Sequence, residues 1–244
     1  LPDMDDVFPA AVGISLLAQV DDTLLVSLSA RGLGSKLCTL EEWCARNFIL
    51  TNLIKTVILI FKYGRTPLPQ PPPVFKLGQT DLNIEIEEKY VGVTFRTDMQ
   101  NMLVAHYKAK ACTGQYCAHR IMAVEDMTGR LMPKELKELY MARVDRHLIH
   151  GCEIMPDSED IHLKQLSQVQ ISFIHNMLNL HPRSMIAPLF TETGIIPLRV
   201  RRLLLVLTHL VHWLGLDKKH YAWAALDSSI ELAAKGKKCW AKDL

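Results

Sequence analysis

Two adjacent carboxylates, Asp21 and Asp22, lie between the runs Ile14-Ser-Leu-Leu-Ala-Gln-Val20 and Thr23-Leu-Leu-Val-Ser-Leu28. Carboxylates placed side by side repel each other unless a metal ion or a base neutralises them. Hard divalent cations such as Mg²⁺ take oxygen ligands of this kind, and two-metal phosphoryl-transfer sites are built on them. A plain surface turn is the competing reading, because Asp favours turns. Two further groupings could do chemistry. Cys112, Cys117 and His119, and likewise His147, His150 and Cys152, are residue types that zinc accepts. The first cysteine pair, however, falls in a helical stretch at a spacing unlike common zinc pairs, so buried thiols and ordinary histidines compete. Arg199, Arg201 and Arg202 could meet phosphates, or could simply be the surface of a helix start.

The elements that position these residues follow from periodicity. Two apolar runs with no residues to spare between them predict a tight antiparallel hairpin with Asp21-Asp22 at its tip. Leu33, Leu37, Leu40 and Trp43 recur every three or four residues among Arg31, Lys36, Glu42 and Arg46, which predicts an amphipathic helix ending at Asn47-Phe48. Val57 to Phe61 reads as a buried strand, and Thr66 to Pro73 as a stiff proline-rich connector on the surface. Val74 to Leu77, Asp81 to Ile86 and Tyr90 to Phe95 read as short strands, with Gly78-Gln79 turning between the first two.

From about Asp98 the pattern is helical. Leu136, Leu139, Tyr140, Val144 and Leu148 form one stripe, and Leu166, Val169, Phe173, Met177 and Leu180 another. The expected architecture is α+β: a mixed segment at 1–96 and an all-helical one at 97–244. The longest apolar run, Leu203 to Leu216, is too short and too polar to span a membrane and is expected to be a buried core helix.

Composition bounds the function. The chain has 244 residues, enough for one large or two smaller domains, and a net charge of +2 gives no global electrostatic argument for nucleic acid. Six scattered cysteines suggest reduced thiols in an intracellular protein. The N-terminal residues show no signal peptide, and the chain, opening without Met, is expected to lack its beginning.

The order of motifs adds to this reading. An Asp21-Asp22 hairpin and an amphipathic helix precede Phe48-Ile-Leu-Thr-Asn-Leu-Ile-Lys-Thr56, a strand, and Lys89-Tyr-Val-Gly-Val-Thr-Phe95. This order resembles the C-terminal half of the reverse transcriptase palm of non-LTR retroelements, in the form found in fungal genomes. Leu139-Tyr-Met-Ala-Arg-Val-Asp145 and Leu189-Phe-Thr-Glu-Thr-Gly194 resemble the thumb region that follows it. The resemblance implies an RNA-directed DNA polymerase acting with Mg²⁺ on an RNA template and a DNA primer. It matches Asp21 to a ligand of the catalytic metals and Asp22 to its neighbour. Lys55 matches the lysine that neutralises the leaving pyrophosphate, a role that suits a cation. Asn52 would shape that loop, and Tyr90, Val91 and Gly92 match the strand that grips the primer, where Gly92 would allow close approach to a phosphate.

Departures from the family pattern lower the expected activity. The family's first catalytic carboxylate, its Gly-Gln motif and its fingers belong upstream of Leu1, so the isolated chain is expected to be inactive. Gln19 stands where an aromatic residue is usual, Val20 where Ala is common, and Tyr90-Val-Gly92 replaces Tyr-Leu-Gly. The alternatives are a non-catalytic nucleic-acid-binding module, a metal-binding or scaffolding module, and a decayed mobile-element relic.

Overall fold

The computed structural model describes residues 5–7, 9, 13–62, 71–99, 101–157 and 159–244. The chain divides into two compact units, one of Leu1–Met102 with Asp217–Ser228 and one of Leu103–Leu216 with Ser229–Leu244. The fold is mixed α and β with small sheets.

In the first unit, strand β1 (Leu16–Gln19) pairs antiparallel with β2 (Asp22–Leu25), Gln19 opposite Asp22 and Leu16 opposite Leu25. Ser29 then caps helix α1 (Ala30–Arg46), its hydroxyl accepting from the Gly32 amide at 3.0 Å. Leu37 and Cys44 are buried on α1, whereas Trp43, expected in the apolar stripe, is 53% exposed. Strand β3 is shorter than expected, Val57–Leu59, and runs parallel to β5 (Thr80–Glu85). Strand β4 (Phe75–Leu77) completes the order β3-β5-β4 through the Gly78-Gln79 turn, where Gly78 takes φ +64°. Leu37, Ile58, Phe75, Leu77 and Leu82 make the core of this unit. The proline-rich connector lies mostly outside the described residues.

The strand expected over Tyr90 to Phe95 is instead a second hairpin, β6 (Glu87–Tyr90) with β7 (Val93–Arg96). Val91 and Gly92 form its two-residue loop, with φ +47° and +81°. Positive φ at both loop residues is the turn that matches the twist of paired strands. Val91, Val93 and Phe95 alternate in the sequence as residues of one strand face do, but the chain reverses at Val91-Gly92.

The second unit begins with α2 (Val104–Thr128). Pro133 starts α3 (Pro133–Leu139), which passes into a π-helical segment (Tyr140–Asp145) and the short turn α4 (Arg146–Leu148). Leu136, Tyr140, Val144 and Leu148 are spaced by fours and are each 2% exposed or less. Steps of four overshoot an α-helical turn by about 40° each, so the stripe would drift off the core. The wider i→i+5 bonding of the π segment corrects this drift. Helix α5 (Asp160–Met177) packs against α2 and buries Leu166, Val169, Phe173 and Met177; Leu180 lies beyond its end and is exposed. Gly114 lets α2 approach closely, since a Cβ there would come within 2.7 Å of Leu148 Cδ2.

Helices α6 (Ile186–Thr193), α7 (Leu198–Leu214), α8 (Tyr221–Ala234) and α9 (Trp240–Asp243) follow. The expectation of a wholly buried helix at Leu203 to Leu216 is not met. Helix α7 buries Leu198, Arg202 and Val206 and leaves Leu203, Leu204, Leu207, Val211 and Leu214 exposed. No helix among the described residues is long and apolar enough to cross a membrane.

Candidate functional site

Val20 and Asp21 form the two-residue loop between β1 and β2, and Asp22 is the first residue of β2. Val20 is fully exposed and has φ +57°. A β-branched residue is poorly suited to that conformation, which two-residue hairpins usually give to glycine. The tip therefore holds backbone strain beside two exposed carboxylates.

The base of the hairpin is anchored from below. Val26 donates to the Ser15 carbonyl at 3.0 Å, and the Leu28 amide to the Asp5 carbonyl at 3.0 Å. Lys36 of α1, nearly buried, forms an ion pair with the buried Asp6 and donates to the Val26 carbonyl at 2.7 Å. One cation thus ties the segment before the hairpin, the segment after it, and α1. A Cβ at Gly32 would collide with the Asp5 carboxylate, so glycine is needed for this approach. The Asp6 carboxylate is committed to Lys36.

Asn52 and Lys55 are brought together in one turn. The Lys55 amide donates to the Asn52 carbonyl at 3.1 Å and to its side-chain oxygen at 3.3 Å, and Thr56 Oγ1 donates to the same carbonyl at 2.9 Å. Asn52 therefore shapes the turn that carries Lys55, whose side chain is exposed. Tyr90 is half-buried at the end of β6, opposite Val93, with Val91 and Gly92 in the adjoining loop. Among the described residues, no hydrogen bond or ion pair joins Asp21 or Asp22 to Lys55, Tyr90 or Gly92.

The donor chemistry at the tip fits a hard cation. Mg²⁺ commonly keeps several waters and is held by one or two carboxylates together with substrate phosphates. Asp21 and Asp22 could supply those carboxylates. Among the described residues no group of three or more His, Cys, Asp or Glu converges, either at the hairpin or at the two Cys-His groupings. Cys152 is fully buried, and burial pushes its thiol up to about 12, away from the thiolate that zinc requires.

The arginines near residue 200 face carboxylates within their own unit. Arg202, 1% exposed, donates from Nε to Asp157 Oδ2 at 2.7 Å and from Nη2 to Oδ1 at 2.9 Å. Its Nη1 reaches the Leu148 carbonyl at 2.6 Å, and the Tyr107 hydroxyl donates to Asp157 at 2.8 Å. Burial pushes the Tyr107 phenol up, with the Asp157 charge adding to the effect. Arg201 donates to Asp145 Oδ2 at 2.8 Å, and Arg199 pairs with Asp160 on the surface at 3.1 Å. This buried network was not anticipated from the chain. The signals for it were charged residues inside apolar stretches, Asp145 beside Val144 and Arg202 beside Leu203. The groove between α2 and α5 has a volume of about 370 Å³ and no carboxylate in its lining, so it offers no acidic metal ligand. No protein-family model, no curated protein and no solved structure matches the chain.

Proposed function

We propose that the first unit is the metal-binding part of an RNA-directed DNA polymerase palm of non-LTR retroelement type, with the helical unit corresponding to its thumb. The observation that carries this reading is a tight hairpin presenting Asp21 and Asp22 to solvent, followed in order by the Asn52–Lys55 turn and the Tyr90-Val-Gly92 hairpin. Asp21 and Asp22 would hold Mg²⁺, which when bound supplies the positive charge that phosphoryl transfer needs. Lys55, exposed on a turn pre-shaped by Asn52, would offset negative charge on a leaving pyrophosphate. Gly92, with no side chain at the hairpin loop, would let a primer phosphate approach the backbone. The strain at Val20 supports a functional tip, because strained conformations persist where the surrounding structure holds them for a purpose.

The reading of a nucleic-acid-binding module without chemistry is weakened by Arg199, Arg201 and Arg202, which are all paired with carboxylates. The test is binding of an RNA template annealed to a DNA primer, followed by fluorescence anisotropy with and without Mg²⁺. The expected result is Mg²⁺-dependent binding that Asp21→Asn with Asp22→Asn abolishes. Binding that ignores both Mg²⁺ and the double substitution would refute the proposal.

A further inference from the structure

Helix α7 carries a second apolar face that the helical unit does not use. At 100° per residue, Val200, Leu203, Leu204, Leu207, Val211 and Leu214 fall within an arc of about 100°. The opposite side carries the buried Leu198, Arg202 and Val206. Exposure along the stripe runs from 41% at Leu207 to 69% at Val211. Six aliphatic side chains left about half in water expose on the order of 500 Å², near the upper end of what a monomer leaves uncovered.

The spacing of this stripe identifies what fits it. Its central positions Val200, Leu203, Leu207, Val211 and Leu214 step by three, four, four and three, so the pattern reads the same in both directions about Leu207. Steps of three and four mark a seam for another helix. We infer that this face pairs with the α7 of a second copy of the chain, antiparallel, about a two-fold axis at Leu207. In that pairing Val200 meets the partner copy's Leu214, Leu203 meets its Val211, and Leu207 meets itself. Each off-axis pair sets a smaller side chain against a larger one, which lets the faces interlock. A closed two-fold interface needs such a self-complementary patch. The two faces would bury on the order of 1,000 Å² together, where specific interfaces begin. The matching of sizes selects the direction: parallel helices would set Val200 against Val200 and Leu203 against Leu203, whereas the antiparallel pair sets Val against Leu at both positions.

Sedimentation equilibrium of the full chain at micromolar concentration should show a dimer. Leu207→Glu places like charges at the axis and should weaken it at least about 100-fold while leaving helix content unchanged by circular dichroism. With Cys38→Ser and Cys112→Ser removing the exposed thiols, Leu207→Cys should cross-link to itself on oxidation. Val200→Cys should cross-link to Leu214→Cys but not to itself. A monomeric wild-type chain, a dimer untouched by Leu207→Glu, or self-linking of Val200→Cys would each overturn the inference.

Discussion

At Val20 the backbone conformation and the residue type disagree, and the disagreement is measurable. The strain of a β-branched residue at φ +57° is about 1–3 kcal/mol, and glycine gives back about 0.5–1 in chain entropy. Val20→Gly should therefore stabilise the first unit by about 1 kcal/mol in urea unfolding. The buried charges of the helical unit are expected to respond unequally. Arg202→Met strips Asp157 of its paired guanidinium and the Leu148 carbonyl of a donor, and should cost about 3–5 kcal/mol. Asp145 differs: burial pushes its carboxyl up against the pull of Arg201, and its Oδ1 has no hydrogen-bond partner among the described residues. Arg201 is partly exposed and can turn to water, so Asp145→Asn should change stability by no more than about 1 kcal/mol.

At the scale of the element, α2 carries a pH-sensitive anchor. His106 is buried, and its Nε2 faces the His150 carbonyl at 3.2 Å, an acceptor that fixes the proton on Nε2. Burial lowers its pKa to about 4, with Lys110, His150 and Arg202 adding to the effect against the carbonyl. An unfolded histidine titrates at about 6.5, so between the two values only the unfolded chain takes up the proton. The His106 contribution is fully present above pH 6.5 and is lost as pH falls towards about 4. Urea midpoints followed by circular dichroism should fall over that window, and His106→Gln should flatten the fall. Helices were the legible part of this chain, because stripes such as Leu166 to Met177 repeat with the helical period. The hairpin at Asp21-Asp22 was legible from its flanking runs. The turn at Val91-Gly92 was not, because the alternation of Val91, Val93 and Phe95 runs straight through it and hid a two-residue reversal. Helix α7 hid its orientation for a related reason: a run rich in leucine and valine resembles burial, and composition does not tell that the core side is the one carrying Leu198, Arg202 and Val206. The Lys36–Asp6 anchor joins residues 30 apart and leaves no local signature in the sequence.

At the scale of the whole molecule, a hairpin presents two carboxylates to solvent, and the helical unit pairs Arg201 and Arg202 with Asp145 and Asp157. The isolated chain should show no template-dependent synthesis in a primer-extension assay with Mg²⁺ and nucleotides, because no third ligand joins the two carboxylates among the described residues and fewer charged ligands hold the metal more weakly. The most direct check of the proposed metal site is a Mg²⁺ titration of the chain monitored by amide NMR. Shifts centred on Val20, Asp21 and Asp22, saturating on the order of millimolar and lost in Asp21→Asn with Asp22→Asn, are the expected result. An unperturbed hairpin at saturating Mg²⁺, or shifts that survive the double substitution, would contradict it.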